Sequence, residues 1–390
     1  MRRTLFDDDH DQYREAVRAF LAQEVEPHHE RWDEQRTIDR SVYTAAAEMG
    51  LYALAVPEEY GGAGELDYRF RMVVREEVAR VGANSFGMTL ALQDDLVLSY
   101  LLDATNEEQR KRWLPGIADG SLIGSLAMTE PGTGSDLQGI RTSAKRDNDT
   151  PGADWLLSGQ KTFISSGGSC DLVIVAARTD PEAGSRGFSL FVVENGMAGF
   201  SRGRTLKKMG MPGQDTAELF FDSVRVPPEN MLGEPGHGLR LLMSHLPQER
   251  LGIIAVTYST ARAIYDLTAR YCFEREAFGQ AIGDFQNTRF VLAELETELD
   301  IAELYVDRCI LAFNDGSLTA VDAAKGKWYI SELAQRVVDR CVQLHGGYGY
   351  MLEYPVARAF VDGRGQTIWA GSTEIMKEII GRDIAARFRA

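Results

Sequence analysis

Cysteine is scarce in this chain, and long apolar runs are missing. Cys170, Cys272, Cys309 and Cys341 are the only four cysteines in 390 residues. They form no CxxC pair and stand too far apart for a disulfide framework, so buried thiols in a reducing compartment are expected. No HExxH and no CxxC…H spacing occurs, and no metal site is expected. No apolar stretch reaches the roughly 18 residues that a membrane span needs. Arg2 and Arg3 lead into Asp7-Asp8-Asp9 without an apolar h-region between them. No secretory leader is therefore expected, and the expected location is cytoplasmic.

Positive charge is also in deficit. Lys and Arg number 42 against 58 Asp and Glu, a formal net charge of −16. Such a surface repels phosphate backbones, so nucleic acid is not an expected partner. The loops that cradle phosphates are incomplete. Glu130-Pro131-Gly132-Thr133-Gly134-Ser135-Asp136 supplies GxG, but Leu137 stands where GxGxxG needs a third glycine. No GxxxxGK[ST] and no GxSxG occurs.

What is present reads as three zones. Hydrophobic residues make up 44% and charged residues 26%, an ordinary soluble composition. Residues 1–120 read as a helical domain, with Tyr13, Val17, Phe20, Leu21 and Val25 at helical spacing. Residues 121–229 hold short apolar runs between turn-forming clusters: Leu122–Met128, Thr162–Ile164, Leu172–Ala177, Phe188–Val193 and Leu219–Phe221. These predict strands, and the lack of long helices between them predicts an antiparallel, barrel-like sheet. Residues 230–390 return to helix. A stripe from Phe285 to Phe313 is ended by Gly316, and further helices are predicted over Leu318–Leu344 and Thr373–Phe388. Pro247 before Gln248-Glu249-Arg250 reads as a helix start, where the dipole favours a carboxylate. The fold class is α+β.

Five segments together carry a resemblance. Leu126-Ala127-Met128-Thr129-Glu130-Pro131-Gly132-Thr133-Gly134-Ser135-Asp136 resembles the signature segment of the acyl-CoA dehydrogenase family. Lys161-Thr162-Phe163-Ile164-Ser165 looks like its second flavin-contacting strand. Arg275-Glu276-Ala277-Phe278-Gly279 with Phe285-Gln286 is similar to its third element, and Gln343-Leu344-His345-Gly346-Gly347-Tyr348-Gly349-Tyr350 to its fourth. Trp369-Ala370-Gly371-Ser372-Thr373-Glu374 corresponds to the last. The segments stand in family order over most of the chain. Glu24–His29 and Gln248–Leu251 look most like the long-chain branch.

The resemblance implies an N-terminal helical domain, a middle β-domain and a C-terminal four-helix bundle. It implies a homotetramer, built as a dimer of dimers, that holds FAD between β-domain and bundle. It further implies an acyl-CoA substrate, with an electron-transfer flavoprotein as acceptor. Most members carry the catalytic base as a Glu just before the turn at 371–372, where this chain has Ala370. Long-chain and isovaleryl-type members place it on the preceding helix, and Glu249 falls there. By the same resemblance, Leu126, Met128, Thr129, Phe163, Ile164 and Ser165 meet the flavin. Arg275, Phe278, Phe285, Gln286, Gln343, Leu344, Gly346 and Gly347 meet the pyrophosphate and adenine, some of them on a neighbouring subunit's cofactor. Ser372, Thr373 and Glu374 open a helix towards the cofactor. Ser135, Arg250, Ala370 and Gly371 meet the substrate, the Ala370 N–H receiving the thioester oxygen. His345 is expected to be packed near the cofactor loop, without a catalytic role. A same-fold flavin oxidase, an acyl-carrier-protein dehydrogenase and a non-catalytic, DNA-associated relative remain alternatives. The acidic balance and the retained Glu249 oppose the last.

Overall fold

The computed structural model describes residues 3–389; Arg2, named above with Arg3, lies outside them. The chain opens with α1 (Asp8–Phe20), α2 (His29–Gln35), α3 (Ser41–Glu48), α4 (Tyr68–Arg80), α5 (Asn84–Ala91), α6 (Leu98–Asp103) and α7 (Glu107–Ala118). A π-helical turn, Leu92–Val97, joins α5 to α6 and turns Asp94 and Asp95 inward, where both are buried. Asp94 Oδ2 accepts from Arg75 Nη2 at 3.1 Å, and Asp95 Oδ1 from Arg71 Nη1 at 3.2 Å. Tyr68 Oη donates to Asp95 Oδ2 at 3.1 Å. Two buried guanidinium groups thus balance two buried carboxylates. Removing one member of such a set leaves an uncompensated charge, at a cost of about 3–5 kcal/mol. Arg75→Met is therefore expected to lower the unfolding free energy by about that much in urea titration. A loss under about 1 kcal/mol would show the cluster to be energetically neutral.

The middle of the chain forms β1 (Gly124–Ala127), β2 (Ser143–Arg146), β3 (Trp155–Ser165), β4 (Leu172–Arg178), β5 (Phe188–Glu194), β6 (Phe200–Thr205), β7 (Thr216–Val226) and β8 (Met231–Leu232). The sheet runs β6-β7-β3-β2-β4-β5-β8, with β1 added beside β4. Most pairs are antiparallel, but β1 lies parallel to β4, Gly124 opposite Leu172. The antiparallel sheet expected from the sequence is present, with β1 and β2 as the strands that lie parallel to β4. The chain passes through β2 and β3 between β1 and β4, and so long a connection escapes the antiparallel constraint of a hairpin. The ladder ends at β6 and β8 and does not close on itself.

β4 and β5 are buried on both faces, which is why they read as unbroken apolar runs. Leu172, Ile174 and Ala176 pack on the N-terminal helices, while Val173, Val175 and Ala177 fill the interior of the sheet. This alternation fuses the sheet to the first helical zone.

The last zone holds α8 (Gly238–Glu274), α9 (Gln286–Asn314), α10 (Ala320–His345), a short α11 (Pro355–Gly363) and α12 (Thr373–Arg389). α8, α9 and α10 pack around Leu251, Ile254, Tyr258, Leu295, Leu299, Val306, Ile330 and Val337, joined by Tyr68 and Met72 of α4, and α12 lies along α10. Pro247 does not start a helix, contrary to its local signal. It lies inside α8, nine residues past the first helical position. An interior proline costs about 3 kcal/mol. Leu242 before it and Leu251, Ile254 and Tyr258 after it are all buried, at about 1.5–3 kcal/mol each, and that outweighs the penalty. Gly252 lets α8 press onto the π-turn, since a Cβ there would stand 2.6 Å from Asp95 Oδ2. No helix among the described residues is long and apolar enough to cross a membrane.

Candidate active site

Glu249 lies two residues past Pro247 on α8. Its Oε2 is sealed from solvent and has no hydrogen-bond partner. Burial pushes the carboxyl up to about 7, against the opposing pull of Arg250 and Lys327. A carboxylate at neutrality that nothing inside the chain satisfies is suited to accept a proton from a ligand. Tyr100 on α6 is also close enough to feel the charge of Glu249, and its hydroxyl is likewise buried and unpartnered. The Tyr100 ring packs on His245, one turn before Glu249, with centroids 4.4 Å apart.

One turn beyond Glu249, Ile253 and Val256 join Met88 and Ala91 of α5 and Met211 in an apolar cluster. Trp369 and Ala370 pack against it. The chain then makes a turn in which Ala370 has φ 53° and Gly371 φ 93°. A non-glycine residue in the left-handed region costs about 1–2 kcal/mol. Such strain persists only where the surroundings enforce it. Lys327 Nζ donates to the Gly371 carbonyl, Trp369 Nε1 to Gln366 Oε1 at 3.0 Å, and Thr373 Oγ1 to Glu332 Oε1 at 3.1 Å. Ser372 caps α12, its carbonyl accepting from Met376 N at 2.9 Å, while Glu374 is exposed in the first turn. Arg250 is 3% exposed and lies against Gly371, its Nη2 3.8 Å from where a Cβ would be. That depth suits the acyl or thioester end of a ligand better than an exposed nucleotide. Ser135 is exposed on the loop before β2.

A second group lies on the sheet. Leu126 is buried in β1, and Met128 and Thr129 follow it, half-buried. Thr129 O accepts from Thr162 N at 2.9 Å, which ties this strand end to β3. β3 breaks register between Lys161 and Ile164, and Phe163 there has φ 59°. The break turns its ring outward, 68% exposed, with Ile164 buried and Ser165 half-buried beside it. Lys161, which the sequence reading left without a role, is 1% exposed. Its Nζ donates to Met128 O and to Glu130 Oε1, both at 2.9 Å. Burial lowers this lysine to about 8.

A third group closes the far end of α8. Arg275, Gln343, Leu344, Gly346 and Gly347 line one cleft of about 470 Å³, with Tyr271 and Tyr348 among its walls. A Cβ on Gly346 or Gly347 would meet nothing within 4 Å, so a ligand has room to approach the backbone there. His345 is buried, stacks on Tyr271 with centroids 4.2 Å apart, and places Nδ1 2.8 Å from the Cys341 carbonyl. The turn into α9 carries Phe278, 97% exposed, edge-on to Phe285, with exposed Gln286 next in the chain. The residues present fit FAD: an outward flat ring on the sheet, and a guanidinium beside open glycine backbone in a cleft.

The structure brings Glu249, Arg250, Ala370 and Gly371 together but keeps Arg275 apart from them. Glu249 and Arg275 are 26 residues apart on or at the end of one helix, which at 1.5 Å per residue is roughly 39 Å.

Family models match nearly the whole chain: the acyl-CoA dehydrogenase N-terminal domain over residues 7–121, the middle domain over 125–224 and the C-terminal domain over 236–385. The long-chain specific acyl-CoA dehydrogenase of Sus scrofa mitochondria is 44% identical over 98% of this chain and 88% of its own length. The mitochondrial isovaleryl-CoA dehydrogenase of Solanum tuberosum is 34% identical over 97% of this chain and 91% of its own. The crystal structure of an acyl-CoA dehydrogenase from Geobacillus kaustophilus superposes with TM-score 0.93 at 42% identity, covering 97% of this chain and 98% of that one. The chain belongs to the acyl-CoA dehydrogenase family. It is an oxidoreductase, and dehydrogenation of an acyl-CoA is its reaction.

Proposed function

We propose that Glu249 is the base that takes the α-proton of a fatty acyl-CoA, with the acyl chain lying along Ile253, Val256, Met88 and Ala91. The observation that carries this is the orphaned Oε2 of Glu249, in a chain whose Ala370 has no group to take a proton. As the α-proton leaves, negative charge gathers on the thioester oxygen. The left-handed turn at Ala370 offers a backbone N–H fixed in place, and a fixed donor needs no reorganisation during the reaction. Arg250 adds positive charge behind the turn. FAD, when bound, supplies the acceptor for the Cβ hydride. Phe163 gives the flavin a flat face, Thr129 and Ser165 give it hydroxyls, and Leu126, Met128 and Ile164 shape the strand ends beneath. In this reading Ser135 meets the pantetheine side of the substrate.

The separation between Glu249 and Arg275 exceeds the reach of one extended FAD. This favours a reading in which the Arg275 cleft serves a cofactor based in a second copy of the chain, within a homotetramer. Electrons leave to an electron-transfer flavoprotein in this reading, and the location is cytoplasmic, although the two curated relatives are named as mitochondrial. Cell fractionation tests the location.

Anaerobic titration of the yellow protein with octanoyl-, palmitoyl- and isovaleryl-CoA tests the function. Bleaching of the flavin band is expected, fastest with palmitoyl-CoA. No bleaching with any of them would sink the reading. Reoxidation faster by oxygen than by an electron-transfer flavoprotein would favour the oxidase alternative.

A further inference from the structure

Lys327 stands in the wrong place for an ordinary lysine. It lies on α10 within the buried stripe Ala323, Ala324, Lys327, Ile330 and Ala334, and is 1% exposed. Among the described residues its Nζ donates to the Gly371 carbonyl, and no ion pair ties it to a carboxylate. A buried ammonium without such a partner is costly, and an apolar side chain would fill the stripe at less expense. The charge must therefore act on something nearby. It feels Arg250, Glu249 and Glu374, so it sits at the meeting point of base, turn and α12.

We propose that Lys327 is a positioning residue: its ammonium grips the Gly371 carbonyl to hold the strained Ala370 N–H towards the reacting carbonyl, and sets a positive charge beside Glu249. The inference rests on the reading of Glu249 as the base. One contact and one electrostatic influence support it. Ala370 is a non-glycine residue in the left-handed region, which needs an external restraint, and the Lys327 bond is made to the residue that follows it. Lys327 also favours the ionised form of Glu249, together with Arg250 on the same helix. The other titratable groups facing this pocket are Tyr100 from α6 with His245 stacked on it, Glu374 from α12, and the Asp94–Asp95 pair below α8. Arg250 also lies against the turn and acts on Glu249, but Lys327 is the one of the two that hydrogen-bonds the turn.

The test uses the FAD-loaded enzyme and three variants. In Lys327→Met the rate of flavin reduction is expected to fall roughly 100-fold, the scale of a displacement of about 1 Å at a reacting centre. The acidic limb of its pH profile moves to higher pH, because a charge that favoured ionised Glu249 is gone. Binding is read with two ligands: an enoyl-CoA, which has the thioester carbonyl, and an S-alkyl-CoA thioether, which lacks it. Enoyl-CoA binding weakens about 10-fold, the worth of one good hydrogen bond, while the thioether is held as before. Lys327→Gln keeps a donor without the charge, so the limb moves as in Met but the preference for enoyl-CoA partly returns. Lys327→Arg keeps the limb in place. Reduction within threefold of the parent, with an unmoved limb, overturns the proposal. So does an equal loss of both ligands with an unmoved limb, which is the mark of a merely structural lysine. If neither Met nor Gln yields a folded flavoprotein, Lys327→Arg decides alone, a shifted limb overturning the proposal and an unshifted one supporting it. Should Glu249→Gln reduce normally, the base assignment itself has failed; a dead Glu249→Gln beside a normal Lys327→Met rejects Lys327 only.

Discussion

Glu249→Gln is expected to slow flavin reduction by acyl-CoA roughly 10³- to 10⁴-fold, the upper range for loss of a general base. The substitution keeps size and shape, so substrate binding should change little and the loss should appear in the rate. Glu249→Asp keeps the carboxylate but withdraws it by one methylene. A misplacement of about 1 Å at a reacting centre can cost about 100-fold, so this variant should fall between parent and Gln. The parent's pH profile should rise through about 7, where burial places the carboxyl. Neither the rise nor its midpoint should survive in Gln. Stability supplies the control. The folded-state pKa of Glu249 lies above its unfolded value, so the carboxyl binds its proton more tightly in the folded chain. Stability from this group is therefore present at acid pH and is lost as pH rises from about 4.5 to about 7. Gln does not ionise, so the variant's Tm at pH 8 should equal or exceed the parent's. Near-parental reduction by Glu249→Gln would remove the base assignment. A fall in both rate and Tm would point to misfolding instead.

Those strands and helices whose burial is simple were legible in the sequence. β4 and β5 are covered on both faces and read as continuous apolar runs. α9 shows its stripe and ends near Gly316, which has φ 74°. β2 and β6 were not found, since Ser143–Arg146 and Phe200–Thr205 are short, polar and largely exposed, and pair through their backbones. The parallel β1–β4 pair depends on contacts distant in sequence, which local pattern does not carry. Pro247 gave a true local preference that packing overrode. In the proposed site, Glu249 is singled out through Ala370, because the acid missing there directs attention to the preceding helix. Lys161 and Lys327 were not found. Lys327 did leave a signal, a cation spaced four residues after Ala323 and three before Ile330 in a stripe of buried residues. A lysine in that position needs a partner inside the fold, and the partner, the turn at Gly371, lies 44 residues on and is brought to it only by tertiary packing.

Arg275→Gln is expected to yield protein that loses FAD on dialysis, with affinity weakened roughly 100- to 1000-fold. Hydrogen bonds from a charged donor contribute about 1.5–3 kcal/mol each, a guanidinium gives a pyrophosphate two of them, and the exposure of Arg275 keeps the total at the lower end of that range. The side chain is exposed at the rim of its cleft, so the loss should be larger at low salt than at high salt. Folding should be unaffected, since Arg275 lies past the last turn of α8 and buries nothing. The geometry gives a sharper version of this experiment. If the cleft at the end of one α8 serves a cofactor seated by another copy's Glu249, two inactive variants can repair each other. An assembly mixing Glu249→Gln with Arg275→Gln chains combines an intact base on one copy with an intact cleft on the other. Random pairing in a symmetric oligomer would make about a quarter of the sites whole. Activity should appear on co-expression and stay absent when the two purified homo-oligomers are mixed without exchange. If co-expression restores nothing while each variant alone folds, the cleft acts on its own chain or on no cofactor, and the reading of a site shared between copies falls.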